Sequence, residues 1–121
     1  MRIAVSIWEG KISPVLDTAS KLLVIESNDQ REVSRFEAYM FEENISRRCH
    51  FILGLEIDVL ICGAASRQLS GMLNASGIDV ISGISGPAED IIEAYLQETL
   101  GDSNFFMPGF NNHTLSQQNK P

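Results

Sequence analysis

Apolar and polar positions alternate along residues 2–8, with Ile3, Val5 and Ile7 on one side and Ala4, Ser6 and Trp8 on the other. Both sides are largely apolar, which predicts a central strand covered on both faces. A loop follows over Glu9–Pro14. Residues 21–27 and 31–40 predict two more strands, and Asn28-Asp29 between them supply the turn chemistry of an antiparallel hairpin. The period then changes. Ile45, Cys49, Ile52 and Leu53 recur at helical spacing, with Arg47, Arg48 and His50 off that stripe, so a helix is expected over 43–55. Residues 58–63, Asp-Val-Leu-Ile-Cys-Gly, form an apolar run closed by glycine, the pattern of a strand buried on both faces of a parallel sheet. Ser66 is placed to cap a helix carrying Leu69, Met72 and Leu73, which Gly77 stops. A fifth strand follows over 78–82. The last helix starts at Pro87, buries Ile91, Ile92, Tyr95, Leu96 and Leu100, and is expected to end at Gly101.

The predicted order is β-β-β-α-β-α-β-α. Right-handed crossovers place strands one, four and five side by side and parallel, and the hairpin extends the other edge. The expected fold is α/β and ribonuclease H-like, a mixed five-stranded sheet of order 3-2-1-4-5 with helices on its faces. Residues 1–109 are expected to form one domain. Residues 110–121, rich in Asn, Gln, Ser and Pro, are expected to be a disordered polar tail, with Phe105–Pro108 docking on the core.

Length and composition narrow the functional classes. The 121 residues suit a single domain, and no run of 18 apolar residues suggests a membrane span. The N-terminal segment reads as a strand rather than a signal peptide, so a cytoplasmic location is expected. A net charge of −7 argues against nucleic acid as a partner. Cys49 and Cys62 are expected to be thiols rather than a disulfide, either as buried small apolar residues or as soft metal ligands.

Motifs for catalysis are missing. The first strand carries no carboxylate, so the acid cluster of a two-metal nuclease is absent. Cys49, His50, Cys62 and His113 lack the paired spacing of a zinc site. Ser66 has no histidine placed to activate it. Gly83-Ile84-Ser85-Gly86 lacks the lysine of a phosphate-binding loop. A non-enzymatic role is therefore expected.

What remains is the rim beyond the carboxyl ends of the parallel strands, where open α/β sheets bind ligands. It brings together Trp8 and Gly10, then Cys62, Gly63, Ala64, Ser66 and Arg67, then Gly83 and Gly86. Small-residue loops, an arginine, a tryptophan and a thiol could seat a compact sulfide-rich anion, since thiolate suits soft metals. Cys62, Cys49 and His50 are the candidate metal ligands. The alternative is that these loops are only tight connections.

Residues 1–109 resemble the dinitrogenase iron–molybdenum cofactor biosynthesis family. The segments that carry the likeness are Met1–Gly10, Ile12-Ser13-Pro14-Val15-Leu16-Asp17-Thr18-Ala19, Asp58–Ala64 and Phe106-Met107-Pro108-Gly109, in that order and spacing. The resemblance implies a ribonuclease H-like fold and a nitrogenase-accessory or carrier role. It implies binding of an iron–molybdenum or molybdenum–copper sulfide cluster, noncovalently or through few ligands, with cofactor-assembly proteins or a partner ATPase as protein partners. Family members often close with Met-Pro-Gly-Cys, whereas Phe110 follows Gly109 here. A metal-free interaction or regulatory module remains the alternative function.

Overall fold

A computed structural model describes residues 1–102 and 104–107; the expected tail, His113 and the Pro108–Phe110 segment lie outside the described residues. The chain runs through β1 (Arg2–Trp8), β2 (Lys11–Ile12), β3 (Lys21–Asn28), β4 (Arg31–Tyr39), α1 (Ile45–Gly54), β5 (Val59–Ile61), α2 (Arg67–Ala75), β6 (Asp79–Ile81) and α3 (Ala88–Leu96). One sheet runs in the order β4-β3-β1-β5-β6, with β2 paired to β1. The β1, β5 and β6 strands are parallel, while β3 and β4 extend the sheet antiparallel.

The alternation in β1 builds two cores. Ile3, Val5 and Ile7 point to one face with Leu23, Ile25, Val59 and Ile61, and α3 covers them with Ala88, Ile91 and Ile92. Ala4 points to the other face with Leu22, Val24 and Leu60, beneath α1 and α2. Fully burying each Ile or Leu contributes roughly 1.5–3 kcal/mol, so a central strand loaded on both faces anchors the domain. Phe105 and Phe106 pack against the α3 core, and Phe106 bridges to Ile84.

The structure has six strands where the sequence pattern showed five. β2 is only two residues long, too short to show alternation. It forms because Glu9 (φ 51°) and Gly10 (φ 77°) make a two-residue turn with both φ values positive, the turn that matches strand twist.

Helix ends also depart from expectation. α2 stops as expected: Gly77 (φ 95°) takes the left-handed position, its amide bonds Asn74 O, and the Ile78 amide bonds Leu73 O. α3 ends at Leu96, not at Gly101. There Glu98 takes the left-handed position (φ 61°), and the Thr99 amide closes onto Ala94 O at 2.8 Å. Glu56 (φ 54°) does the same after α1. A glutamate gives no sequence signal for this role, since glycine is its usual occupant. Arg48 is the other departure: placed off the apolar stripe by periodicity, it is buried.

Candidate functional site

The rim at the carboxyl end of β1, β5 and β6 is assembled from four connections, zipped together by backbone hydrogen bonds. The Ile12 amide donates to Gly86 O (3.0 Å) and the Ala88 amide to Gly10 O (2.9 Å), joining the β1–β2 turn to the start of α3. The Gly83 amide donates to Gly63 O (2.9 Å) and the Ile84 amide to Cys62 O (3.1 Å), joining the loops after β5 and β6. The segment after β2 lies across the β5–α2 loop: the Ala64 amide donates to Pro14 O and the Leu16 amide to Ala64 O, both at 2.8 Å. Residues 105–107 complete the rim, with Ser85 N bonded to Phe105 O and Met107 N to Gly83 O.

Two of the glycines have a steric reason to be where they are. A Cβ on Gly63 would sit 2.5 Å from the carbonyl oxygens of both Ser13 and Pro14, so only glycine admits the crossing segment. Gly86 has φ 127° and lies under the Phe105 ring.

Two polar contacts lock the crossing segment from its far side. The Asp17 carboxylate accepts the Ser66 amide at 2.8 Å. Ser66 in turn caps α2, its hydroxyl accepting the Leu69 amide at 3.1 Å. Behind them, the Arg48 guanidinium donates to the carbonyls of Glu42 (2.6 Å), Leu16 (2.9 Å) and Ala19. Its Nε is buried without a partner among the described residues, and burial pushes the guanidinium below the usual arginine range.

The expected site residues divide sharply. Trp8 is 59% exposed, and Gly10, Ser66 and Arg67 are exposed as well. Gly63 and Gly83 are buried; Ala64 and Gly86 are half-buried. Cys62, expected as the soft ligand of the rim, is 0% exposed within the core beneath α1 and α2. Burial, with the Asp17 charge adding to it, pushes the Cys62 thiol up to about 12. Cys49 is also buried and its thiol is raised by burial, while its neighbour His50 faces solvent. Consecutive helix positions point about 100° apart, so these two cannot close on one ion. Among the described residues, no group of three or more His, Cys, Asp or Glu side chains could hold a metal ion. The two buried thiols therefore do not fit thiolate ligation at the rim.

The Cys62 environment leads to a measurable outcome. The folded thiol binds its proton more tightly than the unfolded one, so this stabilisation is complete below pH 9 and declines as pH rises toward 12. Neither cysteine is expected to react with a thiol reagent in the native protein, and both are expected to react in denaturant. Cys62→Ala should flatten the alkaline limb of the stability curve; prompt labelling of Cys62 in the native state would contradict its burial.

A cavity of about 630 Å³ lies at the other end of the sheet, lined by Met1, Ser27, Gln30, Tyr95, Leu96 and Glu98 among others. The Tyr95 hydroxyl there is pushed up by burial and then by the nearby acids Asp79, Asp58 and Glu98. Sequence reasoning missed this cavity, because its walls meet only when α3 docks over the β3–β4 turn.

A mixed sheet with helices on both faces, closed at one rim by mutually bonded loops, defines a small α/β domain. The chain matches the family model described as dinitrogenase iron-molybdenum cofactor over residues 1–98 and belongs to that family. No curated protein matches. The fold is shared with the crystal structure of PH0822, at 19% identity and a TM-score of 0.75 over 81% of this chain and 90% of that one. It is also shared with the crystal structure of a protein described as a "putative dinitrogenase" (MJ0327) from Methanocaldococcus jannaschii, at 15% identity and a TM-score of 0.68 over 82% and 90% of the two chains.

Proposed function

We propose that this protein binds or carries an iron–molybdenum or related metal–sulfide cluster, or its precursor, during cofactor assembly, and that it does so without catalysing a reaction. Family membership over residues 1–98 is the observation that carries this reading. Exposed Trp8 and Lys11 flanking the β1–β2 turn, and exposed Ser66 and Arg67 at the start of α2, support it. A cluster is an anion with a polarisable sulfide surface. Lys11 and Arg67 would meet its charge, and the Trp8 ring would cover an apolar flank. The cluster would be cargo, held by outer contacts, because both thiols are buried.

The test is anaerobic mixing with a preformed molybdenum–copper or iron–molybdenum sulfide cluster, followed by gel filtration. A charge-transfer band and metal co-eluting with the protein are expected. Arg67→Glu should weaken retention at least tenfold, whereas Cys62→Ala should retain the metal. Colourless, metal-free protein under these conditions would overturn the reading.

The burial of Cys49 and Cys62 favours a second reading, a metal-free interaction or regulatory module that binds a partner protein such as an assembly factor or ATPase. Colourless protein that still captures such a partner would select it.

A further inference from the structure

The cavity of about 630 Å³ at the far end of the sheet plays no part in the cluster-binding role proposed for the rim. Ile81, Tyr95 and Leu96 give it an apolar lining. Asp29 and Gln30 of the β3–β4 turn and Glu98 after α3 are exposed and give it polar edges. The Gln30 amide donates to the Glu98 carboxylate at 2.5 Å, joining the turn to the end of α3.

The charge around this cavity is one-sided. The C-terminal end of a helix carries roughly half a negative charge, and Lys, Arg or His commonly answers it. The last turn of α3 has no basic residue, and Glu98 follows it. Glu98 thus combines a left-handed backbone (φ 61°) with a carboxylate at the negative end of a helix, and each is unfavourable by itself. Asp58 and Asp79 lie close enough to act with Glu98 on the Tyr95 hydroxyl and hold its proton on. Asp29, Asp58, Asp79 and Glu98 make no ion pair with any described residue. The Arg2 guanidinium is committed to Glu26 and Leu55 O, and Arg31 is not among the lining residues. The Met1 ammonium, which donates to Ser27 O at 3.0 Å, is the one positive group among the described lining residues.

We infer that this cavity binds a small organic cation, an ammonium or guanidinium group on an apolar body. The charged group sits between Glu98 and the β3–β4 turn, and the body lies along Tyr95, Leu96 and Ile81. The cavity volume is that of small-molecule sites, about 300–1,000 Å³. An anion would meet uncompensated carboxylates, and a neutral apolar guest would leave them uncompensated. A bare metal ion lacks ligands, because no group of three or more His, Cys, Asp or Glu among the described residues could hold one. The Tyr95 ring adds a face on which a cation is attracted. A bound cation would tie the end of α3 to the β3–β4 turn and so raise the stability of the native state.

The experiment titrates the full chain with phenethylammonium to millimolar concentration, read by amide NMR and by thermal unfolding. Phenethyl alcohol and phenylacetate serve as the neutral and anionic counterparts of the same body. Saturable shifts are expected at Gln30, Tyr95 and Glu98, with Trp8 and Arg67 unmoved, together with a rise in Tm. The ammonium should bind at least tenfold tighter than the alcohol, and phenylacetate should not bind. Affinity should fall as salt is raised, since these carboxylates are exposed. Glu98→Gln and Asp29→Asn, both replacing exposed side chains by neutral ones of the same shape, should each weaken the ammonium at least threefold. Absence of saturable shifts, or shifts centred elsewhere, would overturn the inference. Equal affinity for all three compounds would do so too, as would an affinity indifferent to both substitutions. Either result leaves the cluster reading of the rim untouched, because that reading is tested by metal retention.

Discussion

Gly63→Ala is expected to lower the unfolding free energy by about 3 kcal/mol, the upper end of the usual cost of overpacking. The added Cβ would lie 2.5 Å from two carbonyl oxygens, Ser13 O and Pro14 O. These are backbone atoms, so no side chain can rotate away to make room. Relief requires the crossing segment to lift, and lifting it stretches the Ala64–Pro14 and Leu16–Ala64 hydrogen bonds together. Urea unfolding followed by circular dichroism measures the loss. Gly71→Ala is the matched control. Gly71 lies within α2, and an added Cβ there would meet nothing within 4 Å, so alanine should stabilise by up to about 1 kcal/mol. Equal effects at the two positions would mean that residues 13–16 do not bear on the β5–α2 loop as described.

The contrast shows which parts of the molecule the sequence could reveal. Patterns with local causes were legible. The two-faced alternation of β1, the Ser66 cap and the Gly77 stop each depend on residues within one turn or one strand, and each appears in the structure. The convergence of the loops at the rim was also legible, because it follows from strand direction alone. Contacts made across the fold were not. Arg48 reads as a solvated helix residue until segment 16–19 folds over it and offers two carbonyls. Glu98 and Glu56 take left-handed positions that glycine usually marks. Cys62 followed an apolar run, and its burial was foreseeable as one of two alternatives. The run Val59–Ile61 is buried on both faces, and the next residue continues into the same core. The expectation of a rim thiol rested on position along the strand; depth below the crossing segment decides accessibility.

That same crossing segment connects stability to the proposed function, and Arg48 is where the connection can be tested. Arg48→Met is expected to cost about 3 kcal/mol, since removing one partner of a buried charged network leaves its acceptors unsatisfied. Methionine keeps the aliphatic length but donates nothing. Leu16 O retains the Ala19 amide, and Glu42 lies at the surface where water can replace the guanidinium. Most of the loss therefore falls on Ala19 O and on the coupling between α1 and segment 16–19. Arg48→Lys should recover less than half, because a single ammonium cannot span three carbonyls in the geometry of a planar fork. In a domain of about 100 residues, 3 kcal/mol corresponds to a fall in Tm of roughly 12–24 °C. The loosening should also spread to the rim. Asp17 lies between the two carbonyls that Arg48 holds, and its carboxylate fixes the Ser66 amide. Amide exchange at Ser66 should therefore quicken in Arg48→Met, while exchange in the distant β3–β4 turn stays unchanged. A variant that loses stability evenly, with no excess exchange at Ser66, would show that Arg48 supports the core and not the rim.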